Sequence, residues 1–448
     1  MTITTSASRT ITAYWWRIGF TMAALALATA ALAWIGPLAR PIAAAAFGPS
    51  GEIVPAGAPI RITFDRNLDR RSVEERFGLN PPTPGRFFWD DRTLSFLPDR
   101  LLEPHTRYDV VIAEGVRDDR GRVLSGTINW SFRTRGPRLA ILQSDGQSSR
   151  ITLVNADGSD ARLVQTIPAP VGEIVAAPDG SALVYVEQAE AGRSRLMYLD
   201  LAGAASLPLV DDPQVSAAAP SWSPTGDFIA YEVRTLQDGI AGAPRIWLAQ
   251  PDGTLLGPLL SDSQQIAYGP RWSDDGNRIV FIDGQTQQLV VYSFFTDIAE
   301  PLPISSDEAA IWISEAAALV ARNADPQRSQ LLLIPLSDPA NPRPLTDPSV
   351  AALGPAPAPN GRSIAYTQRN APGEATIWLV ALNGDPPRQL SNSGSHQDIQ
   401  PLWSPDGSRI AFVRISADQP NGAAIVLDPE TAVEQVVLED VQQLVWVP

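Results

Sequence analysis

The stretch Pro401–Phe412 reads PLWSPDGSRIAF, and this phrase returns along the last two thirds of the chain. Close copies stand at Pro220–Tyr231 (PSWSPTGDFIAY) and Pro270–Phe281 (PRWSDDGNRIVF), and weaker copies at Ala177–Tyr185 (APDGSALVY) and Ala358–Tyr366 (APNGRSIAY). Successive copies are mostly separated by roughly 45 to 50 residues, and each joins a turn to a short apolar strand. A period of this length built from short strands is typical of a β-propeller.

The turn at the centre of the phrase has a clear physical basis. In Ser404–Gly407, proline presets φ for the second position of a type I turn, and the final glycine takes the left-handed φ that follows. This combination predicts a short bulged loop between two antiparallel strands. The run Ile410–Val413 after the turn is apolar on both faces, which indicates a strand buried on both sides, as in stacked blades.

The spacing of the copies predicts seven blades, with six as the alternative. A wide gap after the third copy predicts a degenerate unit at Ile311–Ala321. A half unit precedes the first copy, and the chain ends on Leu444–Pro448, where Trp446 lies one period after Trp403. We therefore expect the C-terminal strand to complete the first blade, because this closure removes two free sheet edges. The motif glycines that mark the units are Gly180, Gly226, Gly276, Gly361 and Gly407.

Over residues 137–448 these repeats resemble the TolB-type propeller repeat, a WD40-like family of bacterial envelope proteins. The resemblance implies a propeller domain in an exported protein. The repeat phrase is specific for this repeat class and does not point to any one function. The chain has no counterpart of the α/β domain that precedes the propeller in TolB, so the lipoprotein partner of TolB is not carried over.

Residues 52–135 form a separate predicted unit of short alternating strands with frequent turns, which indicates a β-sandwich. The phrases that define it are Pro59–Phe64, Trp89–Phe96, Leu102–Val110 and Trp130–Phe132. Their order resembles the bacterial Ig-like domain of S-layer and other surface proteins. The predicted fold class is therefore all-β, with an Ig-like sandwich followed by a propeller.

The N-terminal region predicts a membrane segment. Residues 18–39 carry no charge, and Arg9 and Arg17 precede them. A stretch of this length can span a bilayer, which takes roughly 20 residues. We expect a cytoplasmic N-terminus over 1–17, a transmembrane helix or signal anchor over 18–39, a linker over 40–51, and an extracytoplasmic location for the rest. The alternative is a cleaved signal peptide with a small-residue site at Ala43–Ala46, which would secrete the chain.

Composition excludes several mechanisms. All 34 basic residues are arginine and there is no cysteine, so lysine and thiolate nucleophiles and disulfides are excluded. Neither Gly-x-Ser-x-Gly nor His-Glu-x-x-His occurs, and the two histidines, His105 and His396, fall in different units. We therefore expect no enzyme, no cofactor and no metal site. From residue 136 onward 17 arginines stand against 36 acids, a net −19, which argues against a nucleic-acid partner.

The first hypothesis is a non-catalytic envelope protein whose propeller loops bind a protein or peptide partner, since rigid rings commonly carry binding on their loops. The alternative is a glycan-binding or glycan-hydrolysing surface protein that uses carboxylates of the propeller channel, because glycosidases need a pair of them. Most of the 12 tryptophans recur within the repeat, which indicates core packing. The candidate partner-binding residues, in loops that precede the innermost strands, are Gln214, Gln264, Gln265, His396, Gln397 and Asp398.

Overall fold

The structure is a computed structural model that describes residues 42–448, except 100, 119–120, 125, 263, 307, 314–317, 324–328, 393 and 417–420. The described chain is built from strands, with one short α-helix, α1 (Arg70–Glu74), and one 3-10 turn (Glu190–Gly192). The predicted all-β class is confirmed.

The N-terminal unit is a sandwich of two four-stranded sheets, ordered β1-β3-β6-β5 and β2-β8-β7-β4. All pairs are antiparallel except β2 with β8. The two sheets enclose one apolar core that includes Phe64, Tyr108 and Phe132. The strands are β1 (Ala44–Gly48), β2 (Gly51–Val54), β3 (Ile60–Phe64), β4 (Phe77–Asn80), β5 (Gly85–Asp90), β6 (Thr93–Pro98), β7 (Arg107–Ile112) and β8 (Ile128–Thr134).

The first strand corrects the linker predicted over residues 40–51. Strand β1 lies inside that segment and pairs with β3, so that Phe47 stands opposite Ile62. The ring of Phe47 packs on Trp130 at a centroid distance of 5.0 Å. Pairing of β1 covers the edge of β3, which would otherwise present unpaired backbone groups.

The remaining strands form seven four-stranded groups in the described residues, which we number blades 1 to 7. A single bridge between Ala375 and Gln397 links the last two blades into one sheet. Blade 1 contains β9 (Arg138–Ser144), β10 (Ser149–Asn155), β11 (Arg162–Ile167) and β37 (Gln443–Val447). Blade 2 contains β12 (Val171–Ala176), β13 (Ala182–Gln188), β14 (Ser194–Asp200) and β15 (Ser206–Val210). Blade 3 contains β16 (Val215–Trp222), β17 (Ile229–Gln237), β19 (Arg245–Ala249) and β20 (Leu255–Pro258), with the short β18 (Ile240–Ala241) added to β17.

Blades 4 to 7 follow the same order along the chain. Blade 4 contains β21 (Ala267–Trp272), β22 (Arg278–Asp283), β23 (Gln288–Ser293) and β24 (Ile298–Ser305). Blade 5 contains β25 (Ile311–Ile313), β26 (Ala318–Arg322), β27 (Leu331–Pro335) and β28 (Arg343–Pro344). Blade 6 contains β29 (Ala351–Pro357), β30 (Ser363–Ala371), β31 (Glu374–Ala381) and β32 (Arg388–Gln389). Blade 7 contains β33 (His396–Trp403), β34 (Ile410–Ser416), β35 (Gly422–Leu427) and β36 (Glu434–Val441).

The C-terminal strand β37 closes the ring, as the sequence predicts. It pairs antiparallel with β9, and Trp446 stands opposite Leu139. Side chains of β9 alternate between two cores: Ala140 and Leu142 pack with blade 2, whereas Leu139 and Ile141 pack with blade 7. The hydrogen bonds between β37 and β9 thus complete blade 1, and a shared apolar core joins blade 1 to blade 7.

The motif tryptophans bind neighbouring inner strands to one another. The indole N–H of Trp272 donates to the carbonyl oxygen of Ser221 in the preceding blade at 3.1 Å. Trp312 donates to Arg271 in the same way at 3.0 Å, and Trp446 donates to Leu402 at 3.0 Å. This repeated bond, together with the burial of Trp272, Trp312 and Trp446, accounts for the recurrence of tryptophan as packing.

The motif turn adopts the predicted geometry. The Gly407 N–H donates to the Ser404 carbonyl oxygen at 2.8 Å, and Gly407 has φ +72°. The Ser404 hydroxyl accepts the Arg409 N–H at 2.8 Å and donates to Asp406 Oδ1 at 2.6 Å. Serine therefore caps the turn from inside, which explains its place before the Pro-Asp-Gly sequence.

The predicted single-pass location in the cytoplasmic membrane receives no support from the described residues. Across the residues that the structure describes, no helix is both long and apolar enough to cross a membrane. The segment 18–39, on which the prediction was based, and residues 1–17 lie outside the described residues.

Candidate functional site

The ring has two different rims, because each inner strand runs from one to the other. The turn rim consists of the motif turns that follow the inner strands, at residues 177–181, 223–228, 273–277, 358–362 and 404–409, and of the outer turns at the same end of the blades, which include residues 294–297, 336–342 and 382–387. The loop rim consists of the described loop residues that precede them, at 168–170, 211–214, 264–266, 345–350 and 394–395. The inner strands β37, β12, β16, β21, β25, β29 and β33 line the channel between the rims.

The sandwich lies on the turn rim. Gly57 packs so closely on Pro178 and Pro448 that a side-chain Cβ at this position would overlap the Pro178 carbonyl oxygen. The guanidinium of Arg135 donates to the Gly180 carbonyl oxygen at 3.5 Å. These contacts involve the first motif turn and the end of the last strand, so the loop rim lies at the other end of the channel.

Three of the predicted residues are on the loop rim, immediately before the inner strands of blades 3 and 4. Gln214 and Gln264 are exposed and Gln265 is half-buried. The backbone N–H of Gln214 donates to Asp212 Oδ1 at 2.8 Å, and that of Gln264 donates to Asp262 Oδ1 at 2.9 Å. Each loop is therefore held by a turn of the same kind, in which an aspartate side chain accepts the N–H of the residue two positions later.

The other three predicted residues are not in a loop, which corrects the sequence interpretation. His396, Gln397 and Asp398 are the first residues of strand β33, where His396 stands opposite Ser416. Asp398 is fully buried, and its carboxylate accepts two bonds from the Arg414 guanidinium, at 2.7 and 2.9 Å. The Asp398 carboxylate is therefore engaged inside blade 7 and is not available to a partner.

Ion pairs stabilise the loop rim near Asp398 and near Gln214. Arg414 also donates to Glu434 at 2.8 Å, and its hydrogen bond lowers the pKa of Glu434 against the opposing effect of burial. In blade 2, Asp211 accepts bonds from Arg193 and Arg195, each at 2.8 Å. The Arg193 bond is the main reason that the pKa of Asp211 is lowered. The loop that carries Gln214 thus begins at a residue fixed by two guanidinium groups.

A charged group centred on two of the inner strands, with one member on the second strand of blade 3, was not predicted from the sequence. Glu173 of β12, Glu232 of β17 and Arg271 of β21 lie within electrostatic reach of one another. Burial raises the pKa of Glu173, the positive charge of Arg271 opposes that shift, and Glu232 adds to it. Glu232 accepts the Gly269 N–H at 2.9 Å, whereas no hydrogen bond or ion pair reaches the Glu173 carboxylate from any described residue.

This channel group combines an unpaired acceptor with a cation. Arg271 donates to the carbonyl oxygen of Pro270 at 3.0 Å and has no carboxylate within 4.0 Å among the described residues. The inner strand between Glu173 and Arg271 carries only small side chains over residues 216–219. The sequence did contain a signal: Arg271 occupies the middle of Pro-Arg-Trp, where the close copies have serine or leucine.

Among the described residues, no group of three or more His, Asp or Glu side chains is placed to hold a metal ion. The histidines lie far apart in the fold. His396 Nε2 is 3.6 Å from Asp398 Oδ2 within blade 7, whereas His105 belongs to the sandwich and lies beside Gly136.

Comparison with known proteins supports the sandwich directly. Residues 48–134 match the family described as the bacterial Ig-like domain, which confirms the predicted resemblance of this unit. L,D-transpeptidase 2 of Mycobacterium tuberculosis is 29% identical over 128 residues, which are 28% of this chain and 30% of that protein. The chain thus spans less than a third of the length of that relative.

Solved structures show the propeller fold. A structure from a study of two prolyl endopeptidases has a TM-score of 0.52 at 13% identity and covers 76% of this chain and 49% of the other. A puromycin hydrolase structure has a TM-score of 0.51 at 16% identity, and the match covers 69% of this chain and 54% of the hydrolase chain. TolB from Acinetobacter baumannii covers 91% of this chain and 99% of that chain, with 13% identity and a TM-score of 0.45.

These comparisons correct the prediction that the chain is not an enzyme. Proteins with the same fold include an endopeptidase and a hydrolase, so this architecture occurs in enzymes. The lack of lysine and cysteine removes particular nucleophiles, but Glu173 and Glu232 remain as carboxylates that can take part in acid–base chemistry, and Arg271 can stabilise negative charge. At these identities the matches show the fold alone, and they assign no reaction.

Proposed function

We propose that the chain is an extracytoplasmic envelope protein that binds a protein or peptide partner on the loop rim of a seven-bladed propeller. The observation that carries the proposal is the position of the sandwich on the turn rim, where Gly57 packs on Pro178 and Pro448. That docking leaves the loop rim and its end of the channel uncovered by the sandwich. A bacterial Ig-like domain followed by a propeller also fits an envelope protein.

The exposed glutamines suit recognition of a polypeptide. An amide side chain both donates and accepts hydrogen bonds, so it can pair with the backbone of a partner in either direction. The aspartate turns at Asp212 and Asp262 fix the backbone beside Gln214 and Gln264, which reduces the conformational entropy lost on binding. We propose that Gln214, Gln264 and Gln265 contact the partner, with the partly buried His396 and Gln397 at the edge of the surface.

The charged channel group supports a second candidate function, action on a glycan. Glu173 has a raised pKa and a second carboxylate, Glu232, in its neighbourhood, and glycosidases use two carboxylates whose pKa values differ. Purified protein would be incubated with envelope glycans. Release of product that is lost in Glu173→Gln, while that variant still captures the partner, would favour this second candidate.

The first proposal is tested by capture from envelope extracts. We would compare the parent with a variant in which Gln214, Gln264 and Gln265 are each changed to arginine. The matched control changes three exposed residues on the turn rim to arginine, namely Thr296, Asn341 and Asn383. We expect the loop-rim variant to lose a partner that the control retains. Equal capture by both variants would contradict the proposal.

A further inference from the structure

A cleft of about 570 Å³ lies beside the contact between the sandwich and the propeller. Its walls come from both units: residues 104–105 and 133–138 on one side, and residues 155–157 and the turn 404–409 of blade 7 on the other. A volume in this range matches that of small-molecule sites, which fall between about 300 and 1,000 Å³. Ile53, with 71% of its surface exposed, supplies an apolar wall.

Arg135 lines this cleft and contacts no carboxylate of the described residues. Its guanidinium donates to two backbone carbonyl oxygens, Gly136 at 3.2 Å and Gly180 at 3.5 Å. No carboxylate of the described chain lies within 4.0 Å of it. Burial, and secondarily the nearby charge of Arg138, lower the pKa of Arg135 to about 10, so the group is still cationic at neutral pH but lacks a compensating anion. An arginine has five N–H donors, so donors remain for a ligand.

The ion pairs around the cleft leave Arg133 and Arg135 without a carboxylate of the described residues in direct contact. Arg138 pairs with Asp160 at 2.7 Å and Arg409 with Asp428 at 2.9 Å, whereas Arg133 is exposed and forms no ion pair within the described residues. Two carboxylates also line the cleft, and each is engaged in its own turn. Asp157 Oδ1 accepts the Ser159 N–H, and Asp406 Oδ1 accepts the Ser408 N–H, both at 3.0 Å.

A second cleft, on the other side of the same contact, has the opposite character. Its volume is about 610 Å³, and one arginine, Arg61, lines it. The carboxylates on its walls are Asp90, Asp179, Asp227 and Asp252. The two clefts are similar in size and position but differ in charge, so an anion would discriminate between them.

We propose that the first cleft binds an oxyanion, the carboxylate or phosphate group of a small ligand, between Arg133 and Arg135. Guanidinium groups bind carboxylate and phosphate oxygens through charge-assisted, often bidentate, hydrogen bonds. Although the chain has a net charge of −15, two arginines that contact no carboxylate of the described residues line this cleft. A ligand held there would contact both the sandwich and the propeller.

Titration calorimetry on the purified full chain would test the site with three probes: inorganic phosphate, glucuronate and, as the neutral control, glucose. We expect saturable binding of phosphate, glucuronate or both, and binding that weakens as salt is added. Binding of phosphate alone would assign the site to phosphate groups, and binding of glucuronate alone would assign it to carboxylates. Absence of binding by both anions at millimolar concentration would overturn the proposal.

Two matched variants locate the site. Arg133→Gln and Arg61→Gln each remove an exposed sandwich arginine, one from each cleft. Loss of a charged hydrogen-bond partner should weaken anion binding roughly 10- to 100-fold in Arg133→Gln, and Arg61→Gln should bind as the parent does. Arg135→Gln should abolish binding, and Arg133→Gln keeps the test valid if that variant fails to fold. Equal binding by Arg133→Gln and the parent would overturn the assignment to this cleft.

Discussion

Replacement of Asp398 by alanine is the sharpest test of how blade 7 is held together. The Asp398 carboxylate is fully buried and accepts two guanidinium bonds from Arg414, at 2.7 and 2.9 Å. The Thr367 hydroxyl donates to the Asp398 carbonyl oxygen at 3.2 Å, which ties the residue to blade 6. Asp398→Ala removes the carboxylate and leaves Arg414 with Glu434 as its remaining anion.

The expected cost follows from the burial of the pair. Removal of one partner from a buried ion pair costs about 3–5 kcal/mol, because the other charge stays desolvated without its partner. The side chain of Arg414 keeps 19% of its surface exposed and retains Glu434, so we expect the lower end, about 3 kcal/mol. A double variant, Asp398→Ala with Arg414→Met, should recover part of that loss, because it removes the unpaired charge as well.

The assay is urea denaturation followed by tryptophan fluorescence, with the free energy of unfolding extrapolated to water. Asp109→Ala is the control, because Asp109 also pairs with an arginine, at 3.2 Å, but its side chain is 46% exposed. The control should lose at most about 1 kcal/mol. If Asp398→Ala lies within about 0.5 kcal/mol of the parent, the reasoning about this buried pair is refuted.

Three further predictions concern the ring and its channel. Deletion of residues 444–448 removes most of β37 and exposes the edge of β9, so we expect a lower melting temperature by calorimetry and aggregation by light scattering. An unchanged melting curve would argue against closure of the ring by this strand. Gly407→Ala places a Cβ at φ +72° and should destabilise the chain by about 1 kcal/mol, whereas the same change at Gly78, a strand residue outside the left-handed region, should cost less in the same denaturation assay. The raised pKa of Glu173 means that the folded chain binds the proton more tightly than the unfolded chain, so stability falls as the pH rises from the usual value of 4.5 through the raised folded value. Glu173→Gln should therefore melt higher than the parent near neutral pH and lose that advantage below pH 4.5, and a gain that is independent of pH would contradict the titration of this carboxyl.

The parts of the fold that the sequence predicted well depend on local chemistry. The left-handed Gly407 and the serine that caps its turn are specified within a few residues, so the hairpins could be placed. Closure was predictable because Trp446 lies one period after Trp403 and makes the same kind of inter-blade bond as Trp272. Period and turn chemistry therefore carry most of the architecture.

The parts that could not be predicted depend on contacts between distant segments. His396–Asp398 reads as a polar loop, and it is a strand because Arg414, on the neighbouring strand, neutralises the buried aspartate. The anion cleft depends on how the sandwich docks, which brings Arg135 against the carbonyl of Gly180. In both cases the two contacting residues are far enough apart in the sequence that the residues around one of them do not predict the other.

The measurement that tests the central claim most directly is site-specific photo-crosslinking in intact cells. A photoreactive amino acid would replace Gln214 or Gln264 on the loop rim, and Asn341 or Asn383 on the turn rim, all of which are exposed. We predict that the two loop-rim positions give the same crosslinked adduct and that the two turn-rim positions do not. An adduct formed only from the turn-rim positions would contradict the assignment of the partner to the loop rim.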